Sequence, residues 1–347
     1  MEHQRDARST HNMKVLTPIT ITPAVYNFAV APFQLGDYAE WSAATAYVAG
    51  NRVCINAQRR QYQCLVANTN FSPVTNPDKW VDIGATLPWR PFDGFLSSTL
   101  TSITYGSVIS DPLLKNPGSL YDLRLDFYAF PFWALGSFDA IAVMNTTAAW
   151  VRVVYYNRTG AVTYDKKIYS VDTSVVIDAS SYCFNDQATR RDFIFDGIDG
   201  WGTTTGDQVH VLISNGPDGT LAAVSDVIPV AVGEIIIGEA HELGACHADA
   251  AIQLIDYSKK EIDVYGTVKI VQRAYSLNGS FEIEVPTANR PRIQNLMASL
   301  RATPCVYFPS EFDANAGVVI YGYVKDYNTT YSTPERAYAS LEVEGMI

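Results

Sequence analysis

A chain of 347 residues, nearly half of them apolar and only 18% charged, can hold two or three domains and is too apolar to be disordered throughout. Its formal charge of −11 argues against nucleic acid or an anionic membrane surface as the main partner, since both need clustered Lys and Arg. Twenty-one Tyr and 15 Phe, with many Val and Thr, favour strands over helices.

The first dozen residues, "MEHQRDARSTHN", are polar, and "MKVLTPITITP" after them breaks up any signal-peptide core with Thr and Pro. Met13 is as good a start as Met1. Nowhere does an apolar run approach the ~20 residues of a membrane span. Residues 1 to 35 read as an arm and a first strand, "VLTPITITPAVYNFAV", which Pro18 and Pro23 confine to sheet edges.

Residues 36 to 84 form a compact aromatic segment that "PWRPFDG" closes with turn chemistry. From 85 to 238, strand-like runs such as "LRLDFYAFPFWAL", "WVRVVYYN", "TSVVIDAS" and "DQVHVLIS" alternate with turns, the pattern of a β-sandwich. The run "VIPVAVGEIIIG" (227 to 238) reads as a buried strand interrupted by Pro229 and Glu234. Residues 239 to 347 carry four more strand candidates. They also carry one helix near 290 to 301, with Asn289 as its cap, Pro291 in its first turn, and Ile293, Leu296, Met297 and Leu300 on one face. A small α+β domain follows from that pattern. The fold class expected is mainly β: a β-sandwich with an inserted small β module and a C-terminal α+β domain.

Catalytic signals are sparse. In "HELGACH" the histidines His241 and His247 stand six apart, whereas a zincin helix needs them four apart, so a polar loop or strand edge is the better reading. Asp196, Asp199 and Asp207 lie in "DGIDGWGTTTGD", where turn chemistry accounts for them; the sequence leaves open whether they also hold Ca²⁺. Cys54, Cys64, Cys183, Cys246 and Cys305 are odd in number and scattered, so a disulfide framework is not expected. Cys54 facing Cys64 across a hairpin is the one pairing their spacing suggests, though buried thiols suit them better. No cofactor is expected.

The spacing Trp41, Tyr47, Gly50, Val53, Tyr62, Pro73 or Pro77, Trp80 and Gly84 resembles the small chitin- and cellulose-binding modules of bacterial chitinases, the family 5/12-like carbohydrate-binding modules. Asn51 replaces that family's Asp, and "CLVANTN" (64 to 70) replaces its exposed aromatic pair, leaving Phe71 as the nearby ring. A module of ~50 residues cannot build a core without its rings, so these aromatics are expected first to hold it together. The resemblance makes Trp41, Tyr47, Tyr62, Phe71 and Trp80 its candidate carbohydrate-binding residues.

The segments "ATLPWRPFDG", "IQLIDYSKKEIDVYGTVKIVQRAYS", "LRATPCVYFP" and "YASLEVEGMI" resemble a tailed-bacteriophage virion protein of the tail tip or baseplate. That resemblance implies a structural, non-enzymatic component of the virion, made in the host cytoplasm. It also implies a homo-oligomer that meets other tail proteins and touches host-surface polysaccharide through residues 36 to 84. The alternative is a tail-borne glycan depolymerase.

Overall fold

The computed structural model describes residues 11–22, 26–27, 37–101, 123–128, 138–157, 159–171, 189–198, 207–215, 230–246, 251–262, 267–309, 319–331 and 336–346. The protein is mainly β. Strands of four or more residues are numbered in chain order. β1 is His11–Pro18, and the inserted segment holds β2 (Arg52–Ile55), β3 (Arg60–Cys64) and β4 (Trp80–Ala85). The middle of the chain holds β5 (Leu123–Tyr128), β6 (Ala140–Met144), β7 (Trp150–Tyr156), β8 (Val162–Tyr169), β9 (Phe193–Asp196) and β10 (Gln208–Ser214). Then come β11 (Glu234–Cys246), β12 (Ala251–Asp256), β13 (Lys259–Ile262), β14 (Val268–Val271) and β15 (Tyr275–Pro286). The helix α1 (Arg290–Ser299) precedes β16 (Cys305–Pro309), β17 (Ile320–Tyr331) and β18 (Arg336–Gly345).

Two sheets meet in the middle of the chain. One is ordered β8-β7-β10-β5, with the short strand Tyr26–Asn27 beyond β5. It packs over the β9-β6-β11 end of a nine-stranded sheet. Alternation does the sorting: Val151, Val153 and Tyr155 on one side meet Phe193, Phe195 and Ile237 on the other, all buried in one core. The opposite face of the β6-β11 end is buried too, with Ala142, Met144 and Ile236 packed among Leu16, Val306 and Phe308. Buried on both faces, these strands lose polar alternation, which is why "AIAVM" and "EIIIG" read as continuous apolar runs.

The large sheet then curls shut. Its order runs β9-β6-β11-β1-β16-β17-β18-β15-β12, and β15 pairs again with β11 through Ala245↔Glu284 and Cys246↔Ile283. Six antiparallel strands (β11, β1, β16, β17, β18 and β15) thus close a barrel. Met13, Val15, Phe281, Tyr307, Ile320 and Leu341 fill it, and Ile293, Met297 and Leu300 of α1 pack against them. Closure demands a close approach of two backbones at Gly244. Its φ is +138°, and a Cβ there would collide with the Glu284 carbonyl.

Several expectations change in detail. The boundary drawn at 238 falls inside β11, because this 13-residue strand serves the sandwich with one half and the barrel with the other. Pro18 is expected at a sheet edge, yet β1 lies inside the sheet between β11 and β16; Pro23 lies outside the described residues. Pro18 is tolerated because it ends the strand: β16 pairs only with Met13–Leu16 and never needs its missing N–H. Helix α1 and its buried face lie where the 3.6-residue spacing put them. The Asn289 side chain makes no cap bond, and the chain enters the helix through a 3-10 turn over Thr287–Asn289 instead. Cys54 stands opposite Gln61, so β2 and β3 do not oppose Cys54 to Cys64. Most of "LRLDFYAFPFWAL" beyond Tyr128, all of "TSVVIDAS", Cys183, Asp199 and His247 lie outside the described residues.

Gly244→Ala should cost about 2 kcal/mol or more, because it adds a left-handed φ penalty to a backbone clash at the barrel seam. Gly160→Ala has a φ of +75° but nothing within 4 Å of its Cβ, so it should cost less. Thermal melts of the two variants check the order.

Candidate functional site

The inserted segment folds around its rings. Trp80 opens β4 only 2% exposed, with its indole Nε1–H donating to the Phe71 carbonyl at 2.9 Å. Tyr47 meets it edge-on, centroids 5.1 Å apart, and the Tyr47 hydroxyl accepts from the Ser42 amide. Tyr62 is buried with its hydroxyl donating to Gln58 at 3.1 Å, and Val53 and Cys64 complete the core. Tyr47, Tyr62 and Trp80 therefore offer no flat face to a sugar. Trp41, half-buried, packs against the same core with its Nε1 enclosed and unpaired in this structure.

Phe71 is the exception. Its ring is 41% exposed, with Lys79 Nζ over it at 3.8 Å. Leu65, Val66 and Val74, all exposed, lie in the same loop region. That loop is held from within: Leu65 N donates to the Lys79 carbonyl, Asn76 Nδ2 to the Ser72 carbonyl, and Asn68 Nδ2 to the Val66 carbonyl. The result is a pinned apolar surface with one aromatic ring and one cation. A ring of this kind can stack on a sugar's apolar face while Lys79 meets a hydroxyl or acidic group. Sequence spacing singled out Phe71 but missed Lys79, whose role depends on a loop folding back over eight residues.

The segment is seated firmly on the body. Asp37 Oδ1 accepts from Gln61 Nε2 at 2.6 Å and from Leu87 N at 2.8 Å. Thr86 N donates to the Arg59 carbonyl, and the Arg59 guanidinium lies 3.9 Å over the Trp89 ring. Trp89 and Phe92 in turn pack edge-on against Tyr26 of the sandwich core. Arg59 adopts φ +60°, the left-handed conformation that ends the Asn56–Gln58 turn between β2 and β3.

Beneath the seat lies a cleft of about 480 Å³, lined among others by Arg59, Arg60, Trp89, Asp93, Glu234 and Tyr321. Glu234 is 5% exposed and accepts from the Gly94 amide at 3.1 Å. Burial, opposed by that bond and reinforced by nearby Asp93, pushes its carboxyl up to about 9. Burial raises Asp93 as well. At neutral pH Glu234 is thus a protonated acid and can donate a hydrogen bond. In the sequence it looked like a mere break in an apolar run. Such a break is the signal a buried acid leaves.

Other candidates are committed elsewhere. Asp196 accepts from Lys14 Nζ at 2.7 Å, and Asp207 is buried with the Tyr155 hydroxyl donating to it at 2.9 Å. His241 lies on β11 opposite Val15, in a strand rather than on a zincin helix. Among the described residues no group of three or more His, Cys, Asp or Glu side chains gathers for a metal. Compared with models of protein families the chain matches none, and it has no match among curated proteins. The meaning of the site rests on its own geometry.

Two outcomes follow. Trp80→Ala should cost about 3–5 kcal/mol, because it empties the module's core, whereas Phe71→Ala should leave the melting temperature nearly unchanged. Glu234 binds its proton more tightly folded than unfolded, so its contribution is fully present below about pH 4.5 and is lost as pH rises through about 9. Glu234→Gln should therefore flatten the decline in stability between those limits, as read from melts across that range.

Proposed function

We propose that the chain is a structural component of a phage tail tip or baseplate whose 36–84 module contacts host-surface glycan. One observation carries the glycan part: Phe71, exposed and capped by Lys79, stands on a loop pinned by the Trp80 indole. The buried rings are engaged in folding, which leaves this ring free for a sugar face. A single ring binds weakly, so the contact depends on many copies around the tail axis acting together. A module clamped to the sandwich by Asp37 and Arg59 transmits that contact to the body instead of swinging on a linker. Other tail proteins and further copies of this chain are the remaining partners.

One specific feature favours a second reading, the glycan depolymerase. Asp93 and the protonated Glu234 share a cleft with Trp89 and Arg60, and hydrolysis of a glycosidic bond needs a carboxyl pair of which one is an acid.

The test uses intact protein displayed on beads at high density, incubated with host polysaccharide. Retention of the wild type and loss with Phe71→Ala or Lys79→Ala, both folded, is the expected result. If Phe71→Ala is retained like the wild type, the glycan contact through this ring is wrong. Release of oligosaccharide that disappears with Glu234→Gln would establish the enzyme instead.

A further inference from the structure

Apart from Phe95, Tyr169, Tyr275 and Tyr338, every large apolar side chain exposed among the described residues lies in the module or in one other place, the arm of β12, β13 and β14. β12 ends the nine-stranded sheet and is exposed along nearly its whole length, with Leu254 at 58%. Beyond it, β13 and β14 pair only with each other among the described residues, and all four residues of β14 are exposed, Ile270 at 69%. A two-stranded ribbon alone is marginal in water, and an exposed apolar edge invites pairing. Neither device that natural edges use against this is at work on β12: it holds no Pro, and its one charge is Asp256 at the end.

Charge tells what covers the arm. Residues 251 to 275 hold four Lys and Arg against three Asp and Glu, in a chain that holds 25 against 36. Lys259 is engaged by Glu261 at 3.0 Å, whereas Lys260 stands exposed opposite Ile270, on one face of the ribbon with Val268. The outer wall of the barrel has the complementary character. Glu282 and Glu284 on β15, Glu342 and Glu344 on β18, and Asp326 opposite Glu342 on β17 alternate with the inward-pointing core residues. Lys325 and Arg336 offset only part of this, pairing with Glu342 and Glu284. Tyr338, exposed on β18, supplies an apolar centre to the acidic wall.

We propose that the apolar, basic β12–β14 arm of one copy docks on the acidic outer wall formed by β15, β17 and β18 of a second copy. Arm and wall are different surfaces of the same chain, so the contact is head-to-tail and propagates to a ring when the rotation closes. This rests on the repeated-copy part of the function proposed above, and names the surface that does the repeating.

The test is sedimentation velocity of the full chain from sub-micromolar to tens of micromolar concentration, at low and high salt. Expected is concentration-dependent assembly that Leu254→Asp with Ile270→Asp abolishes, with near-UV circular dichroism and melting unchanged because neither residue is buried. Lys260→Glu should weaken assembly about tenfold, as should Glu282→Lys with Glu342→Lys. Mixing the two charge-reversed proteins should restore association between them. If the wild type assembles but the Leu254/Ile270 variant assembles equally well, the arm is overturned while the repeated-copy reading stands. If the wild type stays monomeric throughout, both are overturned.

Discussion

The eight-residue pairing of β1 with β11 is the constraint on which the body depends. β11 is long enough to be sandwich at Ile235 and Ile237 and barrel at Leu243, and β1 bridges it to β16. Without β1 the sandwich keeps its sheets, but the barrel lacks the strand between β11 and β16, leaving Leu243 and Tyr307 without Met13 and Val15. The bulge between Met13 and Lys14, with Gly244 opposite Met13, bends β11 so that its end can reach β15. Sandwich and barrel are therefore not separable beads. They share a strand, β11, whose two halves serve the two cores.

That coupling shapes what the module can do. Its chain leaves the body after the β1 region and returns at Leu87, where the turn Leu87–Phe92 packs Trp89 and Phe92 against Tyr26. Both connections are fastened by the same carboxylate, Asp37. A surface mounted this way has little conformational freedom left to lose on any contact. The buried Glu234 supports the seat from below by accepting from Gly94, whose φ of +84° is set by the turn itself. Loss of the proton that lets Glu234 stay buried leaves a charge there in alkali, and the seat weakens.

Much of the fold was legible. Alternation in "SFEIEVP" and "YASLEVEG" reports strands with one buried face, and the spacing of Ile293, Met297 and Leu300 reports the helix. The module's rings are visible as a pattern because each has a fixed place in a small core. Barrel closure left no such trace. Strands β1 and β11 lie more than 200 residues apart, with His11 paired to Cys246, and no local pattern encodes a partner at that distance. Pro18 misled for a related reason: a proline marks a missing donor, not which neighbour would have needed it. Of the site, the rings were readable, but Lys79 over Phe71 and Arg59 over Trp89 depend on loops whose course only the folded chain sets.

The central claim is that ligand meets the module's outer loop and not the acidic cleft below it. Backbone amide shifts of the intact protein, followed by NMR as soluble fragments of host polysaccharide are added, test it most directly. The account predicts perturbations confined to residues 65 to 79, centred on Phe71 and Lys79. Perturbations centred on Asp93, Gly94 and Glu234, with the 65 to 79 loop unmoved, would contradict it.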